Sequence, residues 1–509
     1  MRTKKAIINS LTNILMYFVI LLPTFITRKV FLQTLGPELL GLNSLYANIV
    51  SLLSIMELGI GTAIIYSLYK PFANKDKSKV KAYLNFYGKF YRNIGILILV
   101  LGIGITPFLE IIIKEQVNLS YAKFYFILFL SNTVSSYLFS YKISILYVAQ
   151  ENYIVSWWTG ISKLVINILQ IALLIIYPNF TLYILIQVLI DLIYYIIINY
   201  KINKKYPWIK NNTEVLKNKE KKNLFQNLYA LLFHKIGSFI VLGTDNIIIS
   251  IFINLDAVTQ YNSYNMVVSA VNNIINRGFQ GITASIGNLI AKDTTNKVYR
   301  TYKRLFFVNF WIISFMCISL FNTLDQFIGL WLGKSQILDN LTVTIILINF
   351  YFLGMRFCID RFKEAGGVYK QDRYAPIAEA IINLVSSIFL VKFVGLAGVF
   401  LGTLISNLLV VFWIKPLVVY KNVFKVSVLE YFKDYFKYLF IAFIPLIFTR
   451  ILTINIRGEL LISKFIINCF INIFIINTFY ILIFYKNKEF IYFKQLIHSF
   501  LNNIKNNRK

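Results

Sequence analysis

The stretch IVSWWTGISKLVINILQIALLIIYPNFTLYILIQVLIDLIYYIIINY, residues 154–200, decides what kind of fold this chain adopts. It holds two long apolar runs, 154–176 and 179–200, which meet at Tyr177–Asn179. A helix needs about 20 apolar residues to cross the hydrocarbon core of a bilayer, and each run is long enough. The strands of a membrane barrel are shorter and alternate in polarity. The stretch therefore predicts two membrane helices joined by a tight turn.

The same character extends over the whole chain of 509 residues. Hydrophobic residues make up 58% and charged residues 15%, whereas a soluble globular chain is about half apolar and about a quarter charged. The hydrophobicity excludes a disordered chain, and three cysteines are too few for a disulfide scaffold. We predict an all-α integral membrane protein with about fourteen transmembrane helices. Their approximate bounds are 8–33, 39–69, 86–113, 121–149, 154–176, 179–200, 226–253, 259–291, 305–332, 339–360, 375–395, 396–418, 436–455 and 460–485.

The positive charge is distributed as a topology signal. Lys and Arg number 52 against 22 Asp and Glu, for a net charge of +30. Of these 52, 38 fall in the termini and every second connection and six in the other connections, when the adjoining span edges are counted with them, and eight lie inside spans. Because cytoplasmic loops are enriched in Lys and Arg, both termini are predicted to be cytoplasmic. A nucleic-acid-binding protein would gather its cations on one solvated face, so the predicted charge partner is anionic lipid on the cytoplasmic side.

The longest basic connection, 201–222, lies near the centre of the chain and contains Pro207. It predicts a division into two bundles, whereas the short outer loops Gly36–Leu39, Asn254–Ala257 and Val394–Leu396 leave no room for a soluble domain on that side. The predicted domains are an N-terminal six-helix lobe (1–200), a basic cytoplasmic linker (201–225), a second six-helix lobe (226–420), two additional transmembrane helices (421–485) and a basic cytoplasmic tail (486–509).

Three cations inside the spans are candidate substrate contacts. Ionisable groups at membrane depth are costly and generally face a cavity or a partner. Arg28 lies on the first predicted helix, Lys142 on the fourth and Arg277 on the eighth. They would give a water-filled cavity between the two bundles a positive character, which attracts a phosphate or pyrophosphate group. For Arg28 and Lys142, snorkelling to lipid headgroups is the alternative.

Polar residues mark the same predicted cavity. The eighth helix carries a polar stripe, which cannot face lipid. We expect its Asn273, Asn276 and Gln280 to line the cavity together with Glu57. The alternatives are interhelical hydrogen bonds for the stripe and pairing with a basic neighbour for Glu57. On the seventh helix, His234 and Asp245 are three turns apart and therefore aligned, which makes them candidates for ion or proton coupling.

Motifs of catalysis and cofactor binding are missing from the sequence. In GLWLGKS (329–335), three residues separate the glycines where a phosphate-binding loop has four, and the segment falls in an outer loop. None of the cysteines has metal-ligand spacing, and hydrolase and metalloprotease motifs are lacking. We therefore expect no enzyme activity, no metal site and no cofactor, with coupling to Na⁺ or H⁺ left open.

Several segments resemble one bacterial membrane family. They are FLQTLGPELLGLN (31–43), LSIMELGIGTAIIYSLYKP (53–71), TDNIIIS (244–250), ASIGN (284–288), RFKEAGGVYKQDRYAP (361–376) and GLAGVFLGT (395–403). Across most of residues 1–425 the chain is similar to the bacterial polysaccharide flippases, the Wzx-type members of the polysaccharide transporter family. These belong to the MATE-like MOP exporter superfamily, whose members export drugs, oligosaccharidyl lipids and polysaccharides.

The resemblance implies both a fold and a function. It implies two six-helix lobes that form a V around a central cavity, here with two extra C-terminal helices. It implies a protein of the bacterial cytoplasmic membrane that moves an undecaprenyl-pyrophosphate-linked oligosaccharide from the inner to the outer leaflet by alternating access. The family's cavity is typically cationic, which fits Arg28, Lys142 and Arg277. Glycosyltransferases and a polymerase are the partners that such a role implies.

Two other functions stay open at this point. A cation-coupled multidrug exporter of the same superfamily would favour in-membrane acids over cations, and the spans hold both kinds. The basic ones are Arg28, Lys29, Lys142, Lys163, Lys235, Arg277, Arg356 and Arg450, and the acidic ones are Glu57, Glu110, Asp191, Asp245, Asp360 and Glu379. A scaffold that recruits glycosyltransferases through its basic loops is the third reading.

Overall fold

The computed structural model describes residues 2–57, 60–113, 118–209, 214–218, 220–221, 243–454 and 461–506. Within these ranges the secondary structure is helical and no strand occurs. The helices are α1 (Arg2–Leu53), α2 (Ile60–Ala73), α3 (Lys77–Ile105), α4 (Leu109–Ile113), α5 (Leu119–Phe139), α6 (Ser144–Val148), α7 (Asn152–Ile176), α8 (Phe180–Lys205), α9 (Asp245–Phe252), α10 (Leu255–Gly281), α11 (Thr283–Lys292), α12 (Thr295–Leu332), α13 (Asn340–Met355), α14 (Phe357–Gly366), α15 (Ala375–Val394), α16 (Leu396–Ser406), α17 (Phe412–Val419), α18 (Leu429–Ile454), α19 (Leu461–Phe484) and α20 (Lys488–Asn506). The predicted all-α membrane fold is therefore confirmed.

Ten helical segments of the described chain are long and apolar enough to cross a membrane. Nine of them correspond to one predicted span each, and the other predicted spans differ for local reasons. α1 contains the first predicted span and the beginning of the second, which continues in a 3₁₀ turn at Ser54–Glu57 and in α2. The span 226–253 lies largely outside the described residues. The span predicted at 121–149 is interrupted by a 3₁₀ turn at Ser140–Ile143. The span predicted at 259–291 corresponds to α10 and α11, and α10 is rich in polar side chains.

The tight turns lie where the sequence predicts them. Gly36, inside α1, has φ 84° and marks the kink between the first two predicted spans. Gly395, between α15 and α16, has φ 63°. L-residues with side chains rarely adopt such positive φ values, so glycine permits both reversals. Between α7 and α8 the Oδ1 of Asn179 accepts a hydrogen bond of 2.9 Å from the amide of Leu182, which caps α8.

The chain divides into two compact units, Met1–Thr259 and Gln260–Lys509. In the N-terminal unit α1 packs along α7, α3 packs on α5, and α8 packs on both α5 and α7. The start of α10 belongs to this unit, because an added Cβ on Gly41 of α1 would overlap the carbonyl of Leu255. The division thus falls after the basic connection 201–222, and the predicted lobes of 1–200 and 226–420 stay a prediction.

In the C-terminal unit the two additional helices, α18 and α19, pack on the long helix α12. Buried amides join them, because Asn322 Nδ2 donates to Thr449 Oγ1 at 2.9 Å and to Asn472 Oδ1 at 2.8 Å. The predicted basic tail is largely the helix α20, whose Tyr492 ring lies 3.6 Å from the guanidinium of Arg304. The C-terminal helices are thus integral to this unit.

Candidate functional site

The N-terminal unit contains a cavity of about 330 Å³ between α2, α3, α6, α7 and α8. Its lining extends from the helix ends beside the connection 149–151 to the middles of α3, α7 and α8. The lining residues are Ile65, Tyr87, Tyr91, Ser140, Ile143, Ser144, Tyr147, Val155, Thr159, Ser162, Lys163, Asp191, Tyr194 and Tyr195. Aromatic rings, hydroxyl groups and one pair of opposite charges therefore surround the cavity.

Tyrosines form the aromatic part of the lining. The ring centroids of Tyr87 and Tyr91 are 4.1 Å apart, and those of Tyr194 and Tyr195 are 5.0 Å apart. The hydroxyl of Tyr91 donates a hydrogen bond to Glu57 Oε1. These groups can approach because residue 61 is glycine: a Cβ there would lie 2.8 Å from the Tyr87 hydroxyl and 2.9 Å from Glu57 Oε1. Glu57, predicted to line a cavity, is thus half-buried and bonded to a cavity tyrosine.

The charged pair of the cavity comes from neighbouring helices. Lys163 Nζ of α7 lies 3.3 Å from each carboxylate oxygen of Asp191 on α8. Asn132 Nδ2 also approaches Asp191 Oδ2 at 3.3 Å. The Lys163 side chain is 38% exposed and that of Asp191 14%. Because α7 is long and apolar enough to cross a membrane and Lys163 lies near its middle, this exposure indicates contact with water in the cavity rather than with lipid.

A second cavity of about 260 Å³ lies between α6, α7 and α8, next to the same connections. Its lining is mainly apolar and includes Trp157 and Trp158, with Lys201 Nζ 4.3 Å from the Trp158 ring centroid. Lys205, also in its lining, forms an ion pair of 2.7 Å with Glu151. Burial, and after it the Glu151 carboxylate, raises the pKa of Tyr206. This cavity has the character of a membrane interface, with an apolar wall and a basic rim.

Two of the three predicted cavity cations belong to the N-terminal unit. Arg28 on α1 is half-buried, and its Nη2 donates a hydrogen bond of 2.9 Å to the carbonyl of Thr259. Lys142 lies in the 3₁₀ turn at Ser140–Ile143 and donates a hydrogen bond of 3.1 Å to Asn203 of α8. Both therefore have a protein acceptor within their own unit, and their contact with substrate stays a prediction.

The third cation, Arg277, lies on α10 in the C-terminal unit. Arg277 and Asn273 are exposed on this unit and Asn276 is half-buried, whereas the side chain of Gln280 lies outside the described residues. Within the part of the chain that is described, Oδ1 of Asn276 is buried without a hydrogen-bond partner. The polar stripe thus reaches the surface of its unit, and its role in a cavity stays a prediction.

Of the two predicted coupling residues, His234 lies outside the described residues. Asp245 is the first residue of α9, is 7% exposed, and belongs to the N-terminal unit. Among the described residues its Oδ1 has no hydrogen-bond partner. The described ranges also contain no group of three or more His, Cys, Asp or Glu side chains that could hold a metal ion.

The C-terminal unit contains a different charged cluster, around Asp360. Lys415 Nζ lies 2.7 Å from Asp360 Oδ1, and Arg356 Nε lies 3.5 Å from Asp360 Oδ2. Next to it, Lys363 forms an ion pair with Asp372, and these two side chains are only 6% and 1% exposed. The cluster lies in and beside the segment RFKEAGGVYKQDRYAP. Its charged side chains pair with one another, although within the described residues Nε and Nη1 of Arg356 are buried without a hydrogen-bond partner.

Lys163 and Asp191 are not among the site residues that the sequence predicts, although both count as charges inside spans. The turn at Tyr177–Asn179 is the signal that identifies them. Residues nearly equidistant from a helical hairpin turn lie at similar depth, and Lys163 and Asp191 precede and follow this turn by nearly the same distance. A charge on each helix of one hairpin, at one depth, indicates a pair.

The comparisons with known proteins concern the sequence family and the fold. The family model described as polysaccharide biosynthesis protein matches residues 5–283, which is more than half of the chain. None of the curated proteins matches the sequence.

Among solved structures, lipid II flippase MurJ in an inward closed conformation is similar over 93% of this chain and 99% of its own, with 16% identity and a TM-score of 0.70. An inward-facing multidrug resistance MATE family transporter of the MOP superfamily is similar over 79% of this chain and 95% of its own, with 14% identity and a TM-score of 0.60. The MATE transporter VcmN of Vibrio cholerae, in its bent form, is similar over 83% and 98%, with 14% identity and a TM-score of 0.53.

At identities this low, the structural similarity shows a shared fold. The predicted MOP-type architecture is thereby confirmed, and the ten candidate spans agree with a multi-pass membrane protein. The sequence match carries the assignment to a family: this chain belongs to the polysaccharide biosynthesis protein family.

Proposed function

We propose that the protein is a flippase that moves undecaprenyl-pyrophosphate-linked oligosaccharide repeat units across the bacterial cytoplasmic membrane by alternating access. The observation that carries this proposal is the polar cavity of the N-terminal unit and its position. The cavity extends from the middles of α3, α7 and α8 towards the ends of these helices that adjoin the basic segments 70–92 and 201–222. By the positive-inside rule this end is cytoplasmic, as are both termini. The cavity would then be on the side from which transport starts.

The chemistry of such a cargo fits a chain with polar groups at membrane depth. An oligosaccharide cannot cross hydrocarbon unaided, because each unsatisfied polar group costs several kcal/mol there. We propose Arg28, Lys142 and Arg277 as the contacts of the pyrophosphate, with Asn273, Asn276, Gln280 and Glu57 as polar lining. The exposure of Arg277 and Asn273 on the C-terminal unit supports this assignment, since exposed polar groups avoid lipid.

The proposed mechanism needs no cofactor and no covalent chemistry. Coupling to Na⁺ or H⁺ is the energy source that the proposal favours, with His234 and Asp245 as the coupling residues. The buried carboxylate of Asp245, with its unbonded Oδ1 among the described residues, supports this role. Glycosyltransferases and a polymerase of capsule, exopolysaccharide or O-antigen-type synthesis would supply and consume the cargo, and anionic lipids would surround the basic loops.

Reconstitution tests the proposal directly. The purified full-length protein in liposomes should accelerate the transbilayer movement of an undecaprenyl-pyrophosphate-linked oligosaccharide, measured by enzymatic access to the glycan from outside. Arg28→Ala and Arg277→Ala should slow this movement more than Lys292→Ala, a change at the exposed end of α11. A wild-type rate equal to that of empty liposomes would refute the proposed function, and equal rates in all three variants would refute the role of the cations.

A multidrug exporter is the competing function within the same fold. The charged side chains of the cavity are Lys163 and Asp191, so the lining has no net negative charge that would attract a cationic drug. Expression of the protein in a drug-sensitive strain should therefore leave its susceptibility to cationic drugs unchanged. A clear rise in resistance, absent with an empty vector, would favour the exporter.

A further inference from the structure

We infer that the cavity of the N-terminal unit is a binding site for a neutral sugar ring, in which Lys163 and Asp191 bind ring hydroxyls and the tyrosines contact the ring faces. The inference rests on the proposed function and names the part of the cargo that this cavity holds. It differs from the sequence prediction, in which cations of the cavity bind the pyrophosphate and polar side chains line the rest.

The charge of the lining gives no net attraction to an ionic ligand. The charged side chains of the cavity are one cation, Lys163, and one anion, Asp191. A pyrophosphate bound here would meet the carboxylate of Asp191, and a cationic drug would meet the ammonium of Lys163. Like charges in contact at membrane depth are strongly unfavourable because the surroundings have a low dielectric constant. A neutral ligand avoids both repulsions.

The geometry of the pair leaves hydrogen-bonding capacity for a ligand. A tight charge-assisted hydrogen bond between an ammonium and a carboxylate is about 2.7–2.9 Å long, whereas Lys163 Nζ is 3.3 Å from both oxygens of Asp191. The ammonium has three donors and the carboxylate has about four acceptor sites, so the pair does not saturate either group. Since a hydroxyl both donates and accepts, adjacent hydroxyls of a sugar can bond to the lysine and to the aspartate together.

The hydroxyl groups of the cavity wall around the pair can also form hydrogen bonds with the hydroxyls of a sugar. Thr159 Oγ1 donates to the hydroxyl of Tyr194 at 3.1 Å, so this part of the wall is already ordered. Ser162, one residue from Lys163, is 7% exposed and lines the cavity, and within the described ranges its Oγ has no hydrogen-bond partner. A buried hydroxyl without a partner costs about 1–3 kcal/mol, which a ligand hydroxyl at this position would offset.

The aromatic rings and the size of the cavity select the kind of polar ligand. Tyr87, Tyr91, Tyr147, Tyr194 and Tyr195 bring apolar ring faces and hydroxyl groups together. A sugar ring has the matching pattern, with apolar C–H faces and a polar rim. The volume of about 330 Å³ is at the lower end of the range of small-molecule sites, about 300–1,000 Å³. It therefore holds one or two sugar rings and not a complete lipid-linked repeat unit.

Ligand-observed NMR on the full-length protein in lipid nanodiscs tests this site. The probes are the oligosaccharide released by mild acid from the polyprenyl-linked pool of the producing cells, and inorganic pyrophosphate. We expect saturation transfer to the ring protons of the oligosaccharide, reduced at least fivefold by Asp191→Asn or by Lys163→Gln. Lys205→Gln is the matched control, since it also removes a lysine from an ion pair but lies at the end of α8, outside the lining of this cavity. Pyrophosphate should not displace the oligosaccharide.

Two further measurements separate the outcomes. Thermal unfolding of each variant shows whether loss of binding comes from misfolding, and Asp191→Glu should restore part of the binding because it keeps the carboxylate. If Asp191→Asn and Lys163→Gln bind the oligosaccharide as the wild type does, or if pyrophosphate displaces it, the cavity assignment is overturned. Wild-type flipping in liposomes is scored independently. If the wild type transports the cargo and the cavity variants bind the oligosaccharide as the wild type does, this site alone is refuted. If the wild type binds the oligosaccharide but does not transport the cargo, the proposed function alone is refuted.

Discussion

The two units use the same pair of residue types in opposite ways. In the N-terminal unit Lys163 and Asp191 lie 3.3 Å apart beside a cavity, with side chains 38% and 14% exposed. In the C-terminal unit Lys363 and Asp372 form a pair whose side chains are 6% and 1% exposed. Each charge of a buried pair has lost its hydration and depends on the opposite charge for its stability. Each charge of a loose, hydrated pair can exchange the opposite charge for a ligand. Burial and distance, rather than residue type, therefore distinguish the two pairs.

The largest effect is expected at the closed pair. Asp372→Ala should lower the free energy of unfolding by about 3–5 kcal/mol, because it leaves the ammonium of Lys363 buried without its counter-ion. In detergent micelles this loss should appear as a large fall in the midpoint of thermal unfolding. Asp293→Ala, which removes the exposed pair of Asp293 with Lys297, is the matched control and should cost about 0–1 kcal/mol.

A second variant distinguishes an unpaired charge from a lost contact. If the cost of Asp372→Ala is that of an uncompensated ammonium, the double variant Lys363→Met with Asp372→Ala should recover much of the stability. Equal midpoints for the single and the double variant would show that the pair is not the source of the effect, and the contrast between the two units would then fail.

Glycine substitutions compare the packing of the two units. In the C-terminal unit an added Cβ on Gly398 of α16 would overlap the backbone carbonyl of Leu390, whereas at Gly61 it would meet the tips of the Tyr87 and Glu57 side chains at 2.8 and 2.9 Å. Side-chain tips can rotate away and a helix backbone cannot. Gly398→Ala should therefore destabilise the protein by about 1–3 kcal/mol, and Gly61→Ala by clearly less, both measured by thermal unfolding. A larger loss for Gly61→Ala would contradict this order.

The polar seam of the C-terminal helices should give an effect of intermediate size. Asn322 donates to Thr449 and to Asn472, and all three are almost fully buried. Interhelical hydrogen bonds in membranes contribute about 0.6–2 kcal/mol each. Asn322→Ala removes two such bonds, so it should lower stability by about 1–4 kcal/mol and should expose α18 and α19 to limited proteolysis. Asn477→Ala, at a bond from the half-buried Trp311, is the comparison and should have the smaller effect; equal losses would contradict the seam.

The sequence predicts the fold well because hydropathy and charge bias act over whole helices. The turns at Gly36, Tyr177–Asn179 and Gly395 lie where the predicted spans end. The prediction misses the interruption at Ser140–Ile143, since a 3₁₀ turn within an apolar run leaves no periodic signal. It also does not show that most of the tail forms the helix α20.

The candidate site is less accessible to sequence analysis, because a charge inside a span does not reveal its partner. Arg28 and Lys142 have the signature of substrate contacts, yet each donates to an acceptor of its own unit. The segments that carry the family resemblance also include packing residues. Gly398 allows α15 and α16 to approach closely, and Lys363 with Asp372 closes a buried pair. Resemblance therefore identifies the scaffold more directly than the site.

The smallest effect on stability is expected at the cavity pair itself. The double variant Lys163→Gln with Asp191→Asn removes both charges together, so no uncompensated charge is left in the membrane. Because the pair is long and partly exposed, its loss should change the free energy of unfolding by about 0–1 kcal/mol. Thermal unfolding in the same detergent measures this against Lys363→Met with Asp372→Ala. If this double variant unfolds as readily as Asp372→Ala, Lys163 and Asp191 hold α7 and α8 together. The charged pair of the N-terminal unit would then be structural, as the pair of the C-terminal unit is. An unchanged midpoint would mean that α7 and α8 carry two membrane-depth charges that the fold does not need.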